Sequence, residues 1–207
     1  MRALAVVATA AAVQRTSIRG HAVRRVDVDG LYVYAVAYGG GSDGAKHDAL
    51  STQLWPSARI AAGLVADLAP ASMLESLALP SLAAARAGIS ATATDRDAVA
   101  LDFVKHAAAD QGLDVSTQIF DVEDESSPLP PGDLVVLADV FVTDPVAEAC
   151  AARCEEALRR GSDVLVVAAE RSTRDAFLRA LGRGSFGPAP ARLDGGEGLW
   201  LVDGGAG

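Results

Sequence analysis

The stretch ISATATDRDAVALDFVKHAAADQGLDVSTQIFD, residues 89–121, decides the fold. Residues 89–94 form a short β-like run. Residues 97–111 carry apolar side chains at helical spacing and stop at Gly112, and residues 115–120 read as strand again. A strand, a helix and a second strand in so short a space make a βαβ unit, whose strands run parallel.

The alternation continues on both sides. Downstream, residues 134–138 are an apolar strand and residues 145–160 an amphipathic helix followed by Gly161. Residues 164–168 are a further strand and residues 172–181 a helix, with Ser172 as its N-cap and Asp175 as a weaker capping-box partner. A Gly/Pro-rich turn leads to a last strand at 198–203. Upstream, residues 54–68 are helical, with Pro56 in the first turn and Pro70 as terminator. Residues 81–87 form a helix stopped by Gly88. Before these, the β-like runs 21–28 and 31–38 are joined at Asp29-Gly30, a strong hairpin signal, and lead into the low-complexity loop GGGSDGAK at 39–46. The pattern predicts an α/β fold: a doubly wound, Rossmann-like, mostly parallel sheet with helices on both faces and an N-terminal β-hairpin.

Bulk composition agrees. The chain has 207 residues, 50% hydrophobic and 22% charged, enough for one globular domain with a full core. A net charge of −9 repels phosphate backbones, so no nucleic-acid partner is expected. The basic residues Arg2, Arg15, Arg19, Arg24 and Arg25 all precede the first acid, Asp27. Residues 1–25 therefore read either as a targeting leader, organellar more than secretory, or as an ordinary first element. The expected location is cytoplasmic, or a mitochondrion or plastid if 1–25 is a transit peptide. The apolar run 3–13 is too short to span a bilayer, so no membrane partner is expected. On this reading 26–48 is the hairpin and glycine loop, and 49–207 the main domain. Cys150 and Cys154 lie four apart on one helix face, which suits core packing better than a metal site. His21, His47 and His106 take surface positions by default, and no metal site is expected.

In a doubly wound sheet the ligand lies beyond the carboxyl ends of the strands. Asp95, Asp121 and Asp139 each follow a strand, so three carboxylates meet one rim. Any one of them reads readily as a local cap; the set of three reads as a site.

Several segments resemble the class I, seven-β-strand methyltransferases. They are LWPSA at 54–58, LPSLAAARAG at 79–88, TATDRD at 92–97, the pair Asp121-Val122, and DLVVLADVF at 133–141. The nearest subgroup is that of electron-transfer-flavoprotein β-subunit lysine methyltransferase and nicotinamide N-methyltransferase-like proteins. The resemblance covers residues 54–181. It implies S-adenosyl-L-methionine as cofactor and a protein lysine or small-molecule nitrogen as methyl acceptor. Asp95 would hold the ribose, Asp121 and Val122 would border the adenine, and Trp55 would lie near the cofactor. Asp139 would begin an Asp-x-Phe-Tyr-like motif at the methyl-transfer mouth, and is the candidate catalytic residue. Glu75 would be the acid ending the first strand.

The chain departs from that pattern twice. The family's Gly-x-Gly-x-Gly loop corresponds to ASMLESLALPSL at 71–82, and no glycine occurs between Gly63 and Gly88. Either the loop from Glu75 to Pro80 is about three residues short, or Leu74, Ser76 and Ala78 replace the glycines, whose bare backbone permits close approach. Val142 stands where the motif has tyrosine. A faulty gene model, a degenerate paralogue and a modified binding mode each account for this. The functional alternatives are an active methyltransferase and an inactive scaffold of the same fold. A nucleotide-dependent oxidoreductase lacks its Gly-x-Gly-x-x-Gly motif here.

Overall fold

The computed structural model describes residues 16–37, 54–68, 70–75, 78–182 and 199–203. The glycine loop at 39–46, His47, Tyr38, Ser76 and the turn before the last strand lie outside the described residues.

The chain opens with an antiparallel sheet of three strands, β1 (Ser17–Ile18), β2 (His21–Val28) and β3 (Leu31–Val36), in the order β1-β2-β3. The β2–β3 hairpin turns at Asp29 and Gly30, both with positive φ (49° and 78°), as a type I′ turn requires. Residues 16–25 thus contribute to β1 and β2, although they fall inside the segment read as a possible leader. The second strand of the hairpin ends at Val36, two residues before the expected 38.

The remainder alternates: α1 (Pro56–Leu68), β4 (Ser72–Glu75), α2 (Ala78–Arg86), β5 (Ser90–Asp95), α3 (Ala98–Asp110), β6 (Ser116–Ile119), β7 (Leu134–Ala138), α4 (Asp144–Arg159), β8 (Asp163–Ala168), α5 (Ser172–Leu181) and β9 (Leu199–Asp203). The last six strands form one sheet in the order β6-β5-β4-β7-β8-β9, with every pair parallel. That is the doubly wound order 3-2-1-4-5-6, whose direction reverses between β4 and β7. The described residues supply six strands to this sheet, where the family name has seven.

Helices cover both faces. Ala61 and Val65 of α1 and Ala84 of α2 pack on Met73, Val136, Leu165 and Val167, and Leu101 and Val104 of α3 on Ala93. On the other face, α4 and α5 pack against Val135, Leu137, Val164 and Val166, with Phe141 and Phe177 stacked 4.4 Å apart. Right-handed crossovers that wind one way from β4 and the other way from β7 demand this split. Central β7 is buried throughout, so its sequence LVVLA is continuously apolar.

Local caps fix the ends. Asp97 accepts the Val99 N–H at 2.8 Å and starts α3, and Thr143 caps α4 ahead of Pro145. The expected cap on α5 is corrected: Arg171 is the N-cap residue, its side chain makes no capping bond, and Ser172 is the first helical residue. Helix α2 starts at Ala78 rather than residue 81, because Pro80 sits in its first turn, where a missing N–H costs nothing.

The small sheet docks on α2 and α3 through Leu31, Val33, Leu79, Leu82, Val99 and Phe103. Gln111 satisfies its outer edge: Tyr32 N–H donates to the Gln111 carbonyl (2.9 Å), and the Gln111 amide donates to the Tyr32 carbonyl (2.8 Å).

Candidate functional site

The parallel sheet gathers the strand-end acids along one edge. Glu75 of β4 is level with Ala93 of β5 and Val136 of β7. Asp95 lies two residues further along β5, roughly 7 Å, and Asp139 three beyond Val136, roughly 10 Å. Asp121 follows β6. Glu75 and Asp139 flank the point where the winding reverses, the usual place for a ligand in this architecture.

Each acid has a defined environment. Asp95 Oδ1 accepts the Asp97 N–H at 2.7 Å, which orients the carboxylate at the head of α3. Asp121 Oδ1 accepts the Glu123 N–H at 3.0 Å. The local-turn reading of these two acids is therefore part of the truth: the residue that caps α3 is Asp97, and Asp95 braces it. Val122 is half-buried against the α4 cluster, and its carbonyl accepts from Arg153 Nε (3.1 Å).

Glu75 is buried, and its Oε2 accepts from Ser81 Oγ (2.6 Å) and Ser81 N (3.2 Å). The carboxylate thus lies against the first turns of α2, where the helix dipole favours negative charge. Only residues 76 and 77 separate β4 from α2. Leu74 and Ala78, two positions where glycine is expected, are a buried strand residue and the first residue of α2.

Asp139 has left-handed backbone (φ 62°) and a buried side chain. Its Oδ2 accepts from Arg171 Nη2 at 2.7 Å, its Oδ1 from Ala169 N at 3.4 Å, and its own N–H donates to the Val167 carbonyl. The Arg171 guanidinium also stands 4.9 Å from the centre of the Trp55 ring. Trp55 immediately precedes α1, so one arginine ties the start of α1 to the tips of β7 and β8. Phe141 and Val142 turn into the α4–α5 core.

Four residues that brace the candidate site carry no motif in the sequence. Arg171 stands three residues past β8, where a lone arginine has no sequence mark that sets it apart from a solvated surface residue. Arg153 and Glu156 of α4 and its C-cap Arg160 recur at i, i+3 and i+7, and together they hold the loop after β6. Arg153 donates to the carbonyls of Val122 and Asp124 and to Glu156 (2.7 Å). Arg160 donates to Glu156 and to the Leu129 carbonyl, and Leu129 N–H donates to Glu156. Burial pushes the Glu156 carboxyl up, but Arg153, the Leu129 N–H and Arg160 together hold it below its ordinary range. The signal was there as helical spacing; its target, a loop carbonyl, has no sequence signature.

Cys150 and Cys154 are buried in the α4 core, and burial pushes the Cys150 thiol up to about 12. Among the described residues no group of three or more candidate metal ligands occurs, and no helix is long and apolar enough to cross a membrane. His21 and His106 are half-buried.

No protein-family model matches the chain, and no curated protein does. Among solved structures it is similar to a TehB-like SAM-dependent methyltransferase from Corynebacterium glutamicum, at 18% identity and TM-score 0.47, over 65% of this chain and 74% of that one. It is also similar to a Pyrococcus abyssi tRNA (uracil-54, C5)-methyltransferase in complex with S-adenosyl-L-homocysteine, at 10% identity and TM-score 0.42, over 63% of this chain and 32% of that one. TehB from Haemophilus influenzae matches at 16% identity and TM-score 0.33, over 44% and 36%. Scores of this size say nothing about chemistry.

Proposed function

We propose that the rim formed by Asp121, Asp95, Glu75 and Asp139 is an adenosyl-ligand site, and that the protein is an S-adenosylmethionine-dependent N-methyltransferase. The observation that carries this reading is the convergence of four strand-end acids on the edge where the winding reverses. The resemblance of residues 54–181, whose matching segments include three of these acids, supports the same reading.

The adenosine half of the cofactor fits the residues present. Asp95 is oriented by the Asp97 N–H to receive the ribose hydroxyls, and the Asp121–Val122 corner is held on α4 by Arg153. The methionine half meets a short connection, since only two residues separate β4 from α2 and the Glu75 carboxylate lies on Ser81. When bound, the cofactor's sulfonium supplies the methyl group. The chain's own contribution is to position a nitrogen nucleophile and hold Asp139 and Trp55 at the mouth through Arg171. The acceptor in this reading is a protein lysine or a small nitrogen compound, and the acidic surface argues against nucleic acid.

The Glu75–Ser81 contact and the two-residue link favour one other reading, a scaffold that binds no cofactor. Transfer of a labelled methyl group from S-adenosylmethionine to a lysate component decides between them. Labelling that disappears in Asp95→Ala supports the enzyme; unlabelled protein and metabolite fractions at high enzyme concentration favour the scaffold.

A further inference from the structure

Strand β6 is the outer strand of the parallel sheet, with β5 as its one neighbour among the described residues. The Phe120 N–H donates to the Asp95 carbonyl of β5 at 3.1 Å. In a parallel ladder each residue turns its N–H and C=O to the same side, and the side alternates along the strand. Ser116 and Gln118 therefore face β5 as Phe120 does, and Thr117 and Ile119 present their N–H and C=O outward. Such an edge is a template for another strand, and soluble proteins usually guard it with a charged side chain or a proline. The sequence of β6, STQI, contains neither. Ile119 is 56% exposed, the one exposed large hydrophobic among the described residues.

Charge indicates what the edge accepts. Exposed acids bracket the strand, Asp114 before it and Glu123, Asp124 and Glu125 after it. Ser126 and Ser127 hold the Asp124 carboxyl below its ordinary range, so it stays ionised at neutral pH. The cations nearby are already engaged: Arg96 with Glu123 at 3.4 Å, Lys105 with Asp102 at 3.5 Å, and Arg153 with the Val122 and Asp124 carbonyls. A second copy is a poor occupant. Symmetric antiparallel pairing of β6 sets Asp114 of one copy against the acidic loop of the other, and like charges opposed across strands repel. A basic segment meets attraction at both ends, whichever way it runs.

We infer that the edge of β6 is a docking strand for an extended segment of a partner protein, one with an uncharged, β-branched centre and Lys or Arg at either end. Main-chain bonds to Thr117 and Ile119 supply the pairing, the Ile119 side chain takes an apolar neighbour, and the bracketing acids select the basic ends. The inference does not rest on the methyltransferase reading, since an enzyme and a scaffold of this fold carry the same edge.

The test adds capped peptides to the intact protein: RKVTVKR, its acidic counterpart EEVTVEE, and RKPTPKR, whose prolines cannot donate to a ladder. With RKVTVKR, the Thr117 and Ile119 amides should gain protection from hydrogen exchange, while Gln118, already bonded to β5, should not change. Anisotropy of the labelled peptide should show saturable binding that weakens with salt. The affinity should fall about tenfold or more in Ile119→Lys, which removes the apolar contact and sets a like charge against the peptide. Ile119 is exposed, so this variant should keep the wild-type circular dichroism and melting temperature. No saturable binding of RKVTVKR, equal binding of either control peptide, or unchanged affinity in Ile119→Lys overturns the inference. A wild-type dimer that Ile119→Lys turns into a monomer in sedimentation would overturn it by assigning the edge to a second copy. Protection of both amides in the protein alone at every concentration would do so by assigning it to another segment of this chain.

Discussion

At the residue scale, Asp139 is one of three described non-glycine residues with left-handed backbone, and the one at the strand tips. A left-handed backbone on a non-glycine residue costs on the order of 1 kcal/mol and persists only where surroundings enforce it. Here Arg171 and the Ala169 N–H do so. Removing the cation leaves a buried carboxylate whose side chain is 2% exposed, whereas removing the carboxylate leaves a cation 29% exposed that can reach water. Arg171→Ala should therefore lower stability by about 3 kcal/mol, and Asp139→Asn by clearly less, both read from urea midpoints. Equal losses would mean that the pair is not what holds the turn. The cysteines make a simpler test. With the Cys150 thiol pushed up to about 12 by burial, neither Cys150 nor Cys154 should react with maleimide at neutral pH until the protein is unfolded. At this scale the sequence showed Asp139, since an acid after an apolar run marks a strand tip. It hid Arg171, whose partners lie 32 residues back on another strand and beside a tryptophan before α1.

At the scale of elements, the loop after β6 behaves as part of α4. Folding lowers the Glu156 carboxyl, so its contribution to stability is complete above the unfolded value near ~4.3 and is lost as pH falls through the folded value. Asp124, held down by Ser126 and Ser127, moves the same way. Amide protection factors of residues 121–130 should fall below about pH 4, ahead of those of the β7 and β8 amides, and Glu156→Gln should lower them already at neutral pH. Uniform exchange across loop and strands would contradict the clamp. Helix α4 itself was easy to read, because Thr143, Pro145 and Gly161 bracket an amphipathic run. The start of α2 was not, because proline disfavours helix in the residue before it and so hid Ala78 and Leu79. Strand β1 has only two residues, too few for any period to register.

At the scale of the whole molecule, alternation in the chain reveals a parallel sheet but not its order. The order β6-β5-β4-β7-β8-β9 follows from which strands can pair with β4 on its two edges, and that is a matter of crossover packing. Docking of the small sheet was equally invisible, since Gln111 reads as a helix end while its amide completes the edge of β3. Gln111→Ala should cost about 1–3 kcal/mol by leaving the Tyr32 N–H and carbonyl unpaired, seen as a lowered melting temperature. The gathered acids were legible in position; their braces, Asp97, Ser81, Arg153 and Arg171, came only with the fold.

The central claim is that Asp95 and its neighbours grip an adenosyl group although the turn after β4 has no glycine. Titration calorimetry with S-adenosylhomocysteine tests this most directly. Saturable one-to-one binding, weakened about tenfold or more in Asp95→Ala as a lost ribose hydrogen bond requires, is the expected result. No heat at millimolar ligand, with the protein shown to be folded, would contradict it.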